Sequence, residues 1–248
     1  MAALLAPPPR SGQEIHGLPP LTWWPGQPVP PFAWERPEDQ AAPALLILDR
    51  RAAAGAATTG ALVSLLDRGE QERAERFRRP GDRERYRLGR TALRQVLGAW
   101  LDRDPAALRF RYGPHGKPAL DGVVDAAPHF NLAHSGDLIL LAFHATCPVG
   151  VDVERHRPDL AWEPLARRVL PSVECQFLEQ LPPGQRRDAF LAAWCRLEAR
   201  LKARGEGLAG LKRLQAEAHS GQEPAGERTW EVAMPAGYRA AAAVAAVL

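Results

Sequence analysis

The sequence is poor in cysteine, in long apolar runs and in lysine. Its three cysteines, Cys147, Cys175 and Cys195, form no CxxC pair, so neither a disulfide framework nor a thiolate metal site is indicated. The longest apolar run, AAAAVAAVL, is too short to span a bilayer, and MAALLAPPPRSG lacks the basic start and the apolar length of a signal peptide. We therefore expect a cytoplasmic protein without a membrane partner.

Lysine is rare although positive charge is not. Lys117, Lys202 and Lys212 are the only lysines among 32 basic residues, and 29 acidic residues bring the net charge to +3. This balance mildly favours anionic partners but does not suit a nucleic-acid-binding protein, which would show a continuous basic face. Lysine carries a compact point charge where arginine carries a planar fork, so Lys202 and the lysine of the HGKP turn, Lys117, are candidates for specific contacts.

The first part of the chain alternates turn residues with helical and strand patterns. Residues 1–42, rich in proline, predict an extended arm that packs on the body through Trp23, Trp24, Phe32 and Trp34. A strand over 44–49 follows, then helices within 60–77 and 82–101, separated by RRPG. Short strands then lead through LILLAFH into VGVDVE.

The second part repeats this order, with helices first and strands last. Helical spacing occurs near 160–170, 172–181 and 185–204, where Gly205 and Gly207 mark the end of the last helix. Strands near 228–233 and 238–247 close the chain. We therefore predict an α+β fold of two similar lobes, residues 43–146 and 147–248.

The stretch VGVDVE carries two carboxylates on a strand that is otherwise apolar. Asp152 and Glu154 are two residues apart, so both side chains point to the same face of the strand. Like charges at this distance repel unless a cation lies between them. A hard cation such as Mg²⁺ is one explanation. An exposed strand end with solvated charges is the other.

The stretch WCRLEARLKARGEGL places a carboxylate and a lysine on one face of a helix. Glu198 and Lys202 are four residues apart in the favoured order for an ion pair, so a plain surface salt bridge is one interpretation. A reactive pair at a phosphate site is the other. The neighbouring apolar residues at helical spacing predict a buried stripe: Phe190, Trp194, Leu197 and Leu201.

Two further segments carry groups that suit phosphate. FNLAHSGD ends a strand at Asn131 and places His134 in a turn, where a structural role is the simpler interpretation. The arginines between Arg73 and Arg94 are expected to form mostly a solvated helix face, with a subset free to grip a phosphate.

These four motifs, GKP, FNLAHSGD, VGVDVE and W…EA…KARGEGL, occur in an order and spacing that resemble the 4′-phosphopantetheinyl transferases. The similarity is to the larger, two-lobed type and covers roughly residues 44–247. It implies that the two lobes have a pseudo-twofold arrangement, with the active site at their interface. It implies transfer of the phosphopantetheine arm of coenzyme A to a serine of an apo acyl or peptidyl carrier protein, with release of 3′,5′-ADP. It further implies a monomer that uses Mg²⁺, with Mn²⁺ as an alternative ion.

The resemblance also implies roles in the C-terminal lobe. Asp152 and Glu154 would bind Mg²⁺ together with the coenzyme A pyrophosphate, and Glu174 of LPSVE stands where the family has a third carboxylate. Glu198 would receive the serine proton, directly or through water. Lys202 would hold the phosphate.

In the N-terminal lobe, the resemblance gives His134 a hydrogen bond to the phosphates. Lys117 and Pro118 of the GKP motif, with Arg73 and Arg85, match positions that hold the 3′-phosphate and adenine end of coenzyme A.

The chain departs from the family pattern at two positions. Leu197 stands where a lysine is usual, and Arg196 or Arg200 is expected to compensate for the missing charge. Ala133 stands where a serine is usual. An impaired relative that only binds coenzyme A or carrier protein is therefore the alternative to an active transferase.

Overall fold

The computed structural model describes residues 18–23, 25–30, 42–53, 63–122, 127–220 and 226–246. Helices and β-sheets both contribute, which confirms the predicted α+β class. Within the described residues, no helix is both long enough and apolar enough to cross a membrane. The three cysteines are free.

The N-terminal half, residues 42–146, contains one long helix and most of a four-stranded sheet. Its elements, preceded by strand β1 (Leu21–Thr22) of the arm, are β2 (Ala44–Asp49), α1 (Arg50–Ala53), α2 (Arg68–Glu75), α3 (Pro80–Leu101), β3 (Phe110–Tyr112), β4 (Pro118–Leu120), β5 (His129–Ser135) and β6 (Leu138–His144). The segment RRPG was predicted to separate two helices, but α3 begins inside it. Proline is compatible with the first turn of a helix.

The C-terminal half, residues 147–246, follows the predicted order with one additional helix. Its elements are β7 (Val149–Arg155), α4 (Trp162–Val169), α5 (Ser172–Gln180), α6 (Pro183–Arg204), α7 (Leu211–Ser220), β8 (Arg228–Glu231) and β9 (Tyr238–Val244). The helix α6 ends at Gly205 in the left-handed conformation (φ 72°), as the glycine predicts. Helix α7 has no counterpart among the helices predicted from the sequence.

The sheets of the two halves share one strand order. The first sheet runs β1-β2-β6-β5 and the second runs β7-β9-β8. Without the arm strand β1, the first sheet runs β2-β6-β5. In both sheets, the strand that comes last in the sequence therefore lies in the centre, between the two strands that precede it. Each half also contains a 22-residue helix, α3 or α6.

Apolar side chains form layers on both faces of these sheets. One face of the first sheet packs on α3. The other face shares a core with the second sheet, in which Leu45, Ile47 and Leu140 meet Val151 and Val153. The far face of the second sheet packs on α6. The halves are therefore held together by a common core.

The N-terminal arm contacts both halves. Strand β1 pairs in parallel with β2, and Trp23 is buried with its indole N–H donating to Pro28 O at 3.0 Å, which confirms part of the predicted packing. Leu18 N donates to Glu231 O at 2.9 Å, beside the end of β8. The other predicted anchors, Trp24, Phe32 and Trp34, lie outside the described residues.

A buried charge network joins α2 to α3. Asp67 and Glu70 form a capping box at the start of α2. Glu70 also accepts from Arg90 Nε at 2.5 Å and from Arg94 Nε at 2.7 Å, while Arg94 Nη2 donates to Asp67 at 2.9 Å. Arg94 is fully buried and Arg90 nearly so. The expectation of a solvated arginine face is therefore wrong for these two residues.

We predict that Glu70→Ala lowers the free energy of unfolding by about 3–5 kcal/mol, because it leaves the buried Arg90 without a carboxylate and the buried Arg94 with Asp67 alone. Glu72→Ala, which removes the exposed partner of Arg68, is the matched control and should have little effect. Urea unfolding of both variants measures the difference. Equal losses in the two variants would contradict a network that stabilises the fold.

Candidate active site

The helix α6 lies directly against the backbone of β7. A Cβ atom built on Gly150 would overlap the backbone of Ala199 and Ala203, so this glycine is required by close approach. Small residues at four-residue spacing on α6, Cys195 and the two alanines, complete the contact with β9. This packing sets the height of α6 above the face of β7 that carries the two carboxylates.

Asp152 is the most buried acid of this face. Only 6% of its surface is exposed, and its Oδ1 accepts from Lys202 Nζ at 2.6 Å. Burial raises the pKa of Asp152, while Lys202 and the nearby Cys195 thiol act in the opposite direction. Its other oxygen, Oδ2, is buried and has no hydrogen-bond partner. The carboxylate therefore has one oxygen free for a further positive ligand.

Glu154 and Glu198 lie in the same electrostatic cluster. Burial and the Asp152 charge raise the pKa of Glu154, whose Oε2 accepts from Ser135 Oγ at 3.0 Å. Burial also raises the pKa of Glu198; Lys202 lowers it, and both β7 carboxylates raise it further. Lys202 thus acts on all three carboxylates, and Arg157 also lowers the pKa of Glu154.

This cluster fits a hard cation. An unpartnered buried carboxylate oxygen beside two further acids is a set of oxygen ligands that Mg²⁺ accepts, and Mg²⁺ usually adds water and phosphate oxygens to one or two carboxylates. The described part of the chain contains no preformed group of three or more potential metal ligands. The fit therefore rests on Asp152 and Glu154, with Lys202 as the positive charge now beside them.

Glu174 has different surroundings. Burial raises its pKa, and the charges that act on that pKa are Arg196 and Arg200 of α6. Neither carboxylate of β7 contributes to it. The assignment of Glu174 as a third metal ligand stays a prediction.

The N-terminal half brings His134 and Arg85 to the same region. Burial and the Arg85 charge lower the pKa of His134, and Lys202 adds to this effect from the other half. Arg85 donates to Gly136 O at 2.5 Å and to Asp82 at 2.7 Å. The histidine therefore lies within electrostatic reach of the lysine of the carboxylate cluster. It lies in β5, which continues to Ser135, so the expectation that the strand ends at Asn131 and that His134 lies in a turn is wrong.

Arg73 lies in the last turn of α2, in the N-terminal half. Its guanidinium lies 5.7 Å from the ring centre of Tyr86 and 5.6 Å from that of Tyr112. Its side chain is exposed, and none of the ion pairs among the described residues involves it. Arg73 is thus a cation that an external anion can reach.

Lys117 spans the two halves. Its Nζ donates to Val149 O at 2.9 Å, to Lys202 O at 2.5 Å and to Ala203 O at 3.4 Å. The last two carbonyls lie at the end of α6, where free carbonyls and the helix dipole favour a cation. The structure thus gives this lysine protein partners, and its contact with the 3′-phosphate stays a prediction. Pro118 begins β4 beside it.

Three further residues, Ser135, Asn131 and Cys195, shape the site but were not expected to do so from the sequence. Ser135 and Asn131 were quoted within FNLAHSGD but were given no role, although both reach β7. Cys195 was treated only as unpaired, although its Sγ donates to Arg239 O at 3.3 Å and its thiol lies near enough to Asp152 to lower the pKa of that carboxylate. Alternation along a strand gives a signal for the first two; the position of Cys195 under Asp152 depends on tertiary packing.

Burial lowers the pKa of Lys117 to about 8 from 10.5, which predicts a pH effect on stability. Between these values the unfolded chain holds a proton that the folded chain has released, so stability rises with pH. The burial cost is complete below pH 8, and the neutral amine above it keeps two N–H donors for the carbonyls. The unfolding free energy of the wild type, relative to Lys117→Met, should therefore increase from pH 8 to 10.5. A constant difference would contradict this shift.

Two family models match the chain. The model described as 4'-phosphopantetheinyl transferase superfamily matches residues 148–243, and the model described as 4'-phosphopantetheinyl transferase, N-terminal, matches residues 56–146. The two matches meet near the boundary between the halves and together include His134, Asp152, Glu154, Glu198 and Lys202.

Curated proteins are similar over the same region. The chain is 38% identical over 155 residues to the 4'-phosphopantetheinyl transferase HetI of Nostoc sp., over 62% of this chain and 65% of that protein. It is 30% identical over 146 residues to the 4'-phosphopantetheinyl transferase Sfp of Bacillus subtilis, over 59% of this chain and 63% of that protein. The 4'-phosphopantetheinyl transferase AcpT of Escherichia coli K12 is 35% identical over 123 residues, which are 50% of this chain and 58% of that protein. Each match spans less than two thirds of the relative's length.

Proposed function

The chain belongs to the 4′-phosphopantetheinyl transferase superfamily, and from this premise we propose that it is an active transferase. It moves the phosphopantetheine arm of coenzyme A to a serine of an apo acyl or peptidyl carrier protein and releases 3′,5′-ADP. The observation that carries the proposal is the buried Asp152 oxygen without a partner, in a cluster with Glu154, Glu198 and Lys202.

The metal site of this proposal consists of Asp152 and Glu154. Both carboxylates lie on one face of β7, and Asp152 Oδ2 is already desolvated and unpaired, so an ion gains a ligand there at no loss of a protein hydrogen bond. Bound Mg²⁺, or Mn²⁺ in its place, would neutralise charge on the pyrophosphate. Glu174, beside its two arginines, is outside this pair.

The remaining groups position the reactants and move one proton. Phosphoryl transfer depends on alignment and charge neutralisation more than on covalent catalysis. The serine oxygen of the carrier protein attacks the phosphorus on the pantetheine side, the bond to 3′,5′-ADP breaks, and Glu198 receives the serine proton. Burial raises the pKa of Glu198, which suits a general base. Lys202 holds the phosphate from α6, and His134 donates to it from the N-terminal half.

The two halves act as lobes in a pseudo-twofold arrangement, with coenzyme A between them. The shared strand order and the two 22-residue helices support an internal repeat. The electrostatic contact of His134 with Lys202 supports a site at the lobe boundary. Arg85 near His134 and the accessible Arg73 mark the path of the adenine and 3′-phosphate end. The protein works as a monomer in the cytoplasm.

The proposal predicts that the protein, incubated with coenzyme A, Mg²⁺ and a panel of apo carrier proteins, adds one phosphopantetheine to a carrier serine. Intact mass measures the product. Glu198→Gln should lower the rate by about 100-fold or more with coenzyme A binding unchanged, because it removes a base and adds no bulk. Glu179→Gln, which changes an exposed carboxylate of α5 outside the cluster, is the matched control and should retain most of the rate.

A wild type that binds coenzyme A but modifies no carrier in the presence of Mg²⁺ would favour the impaired relative that only binds. A fully active Glu198→Gln variant would reduce α6 to a structural salt bridge and overturn the mechanism while leaving the family intact.

We predict further that Arg73→Ala lowers the preference for coenzyme A over dephospho-coenzyme A by roughly tenfold, since a charge-assisted hydrogen bond contributes about 1.5–3 kcal/mol. Lys117→Met, which removes another predicted partner of the 3′-phosphate, should lower the preference as well. Lys212→Met, which changes an exposed lysine of α7, is the control and should keep the wild-type preference. Calorimetric titration of both ligands measures the ratio. A loss of preference in the Lys117 variant alone would place the 3′-phosphate at the GKP turn.

A further inference from the structure

The outer edge of β7 is closed by side chains of the N-terminal half. Residues flanking β7 at even positions bond toward β9: His156 N donates to Gly237 O, and Ala245 N donates to Pro148 O. Odd positions of β7 turn their backbone groups to the opposite edge. There Val151 N donates to Asn131 Oδ1 at 2.9 Å and Arg155 N donates to Ser135 Oγ at 3.0 Å.

The two bonds from β5 follow one register. Asn131 meets Val151 and Ser135 meets Arg155, so the offset is the same and the two strands run side by side in the same direction. Each bond satisfies an edge N–H group that would otherwise be open, as sheet edges require. As contacts between the halves, the two side chains are therefore equivalent.

Ser135 differs from Asn131 in one respect. A hydroxyl that accepts from a backbone N–H still has its own proton to donate, and Ser135 Oγ lies 3.0 Å from Glu154 Oε2. The same hydroxyl thus fixes the backbone at Arg155 and the carboxylate of the preceding residue. Asn131 Oδ1 reaches a backbone amide only and touches no carboxylate of the cluster in the contacts described.

We propose that Ser135 is a positioning residue for the metal site: from the N-terminal half, it orients the Glu154 carboxylate so that one oxygen faces the ion held with Asp152. The inference rests on the proposed function, because it needs Glu154 as a metal ligand. Hydrogen bonds to ligating carboxylates orient the ligand, and their removal typically weakens metal binding 10–100-fold.

Ser135 also makes the metal site depend on the contact between the halves. The ion's ligands belong to β7, but one of them takes its orientation from β5, the strand that carries His134 one residue earlier. Docking of the halves therefore sets the phosphate-binding histidine and the metal-binding carboxylate through the same strand end.

The test is a titration of the full chain with Mn²⁺, without carrier protein and with or without coenzyme A, following free Mn²⁺ by electron paramagnetic resonance. Ser135→Ala should weaken Mn²⁺ binding about tenfold or more. Ser135→Thr, which keeps the hydroxyl, should restore wild-type affinity. Thermal melting of each variant gives the accompanying loss of stability.

Asn131→Ala is the matched control, because it removes the equivalent bond to β7 without touching Glu154. It should lower the melting temperature at least as much as Ser135→Ala yet leave Mn²⁺ affinity unchanged. Asn131→Ser replaces it if the alanine variant does not fold. A loss of affinity that follows melting temperature across these variants would overturn the proposal, since any weakening of the contact would then suffice.

The double variant Ser135→Ala with Glu154→Gln separates this inference from the proposed function. If Ser135 acts through Glu154, the serine change should weaken Mn²⁺ binding no further once Glu154 is replaced. Additive losses, or wild-type affinity in Ser135→Ala, would overturn the inference alone. If neither Glu154→Gln nor Asp152→Asn weakens Mn²⁺ binding, the proposed metal site fails and this inference fails with it.

Discussion

The close approach of α6 to β7 at Gly150 is the constraint on which the rest of the site depends. Lysine and glutamate side chains on a helix reach a neighbouring strand only if the backbones lie near each other, and here any Cβ at position 150 would collide with α6. The alanines Ala241 and Ala243 of β9 also allow a close approach, so the helix packs on a surface of small residues. Lys202 and Glu198 are thereby held over Asp152.

The charges of this cluster explain each other. Asp152 is buried, which is unfavourable for a carboxylate unless a positive group compensates. Lys202 supplies that group at 2.6 Å from one oxygen, and the second oxygen is left without a partner. Replacing a buried ion pair with apolar residues often costs no stability, so the pair is weak evidence for a structural purpose. An oxygen kept desolvated and open is better explained by a ligand.

The sequence predicted local features of the site better than contacts between distant segments. Alternation placed Asp152 and Glu154 on one face of a strand, and the interval of four residues placed Glu198 and Lys202 on one face of a helix. The partners of Lys117 could not be read in this way, because the ends of α6 and β7 meet the GKP turn only after the halves dock. The burial of Arg90 and Arg94 was not predicted for a similar reason, because the arginines of α3 do not indicate which face of that helix α2 covers.

The leucine at position 197 illustrates how packing limits the choice of charge. Leu197 is buried in the apolar stripe with Phe190 and Leu201, as the spacing predicts. The neighbouring arginines were expected to replace the charge that leucine lacks, but both have other partners. Arg196 donates to Glu231 at 3.0 Å, and Arg200 pairs with Glu227. These guanidinium groups link α6 to β8 and to the residue just before it. The two glutamates largely neutralise their charge. The phosphate end of the proposed site therefore relies on Lys202 from this helix and on His134 with Arg85 from the other half.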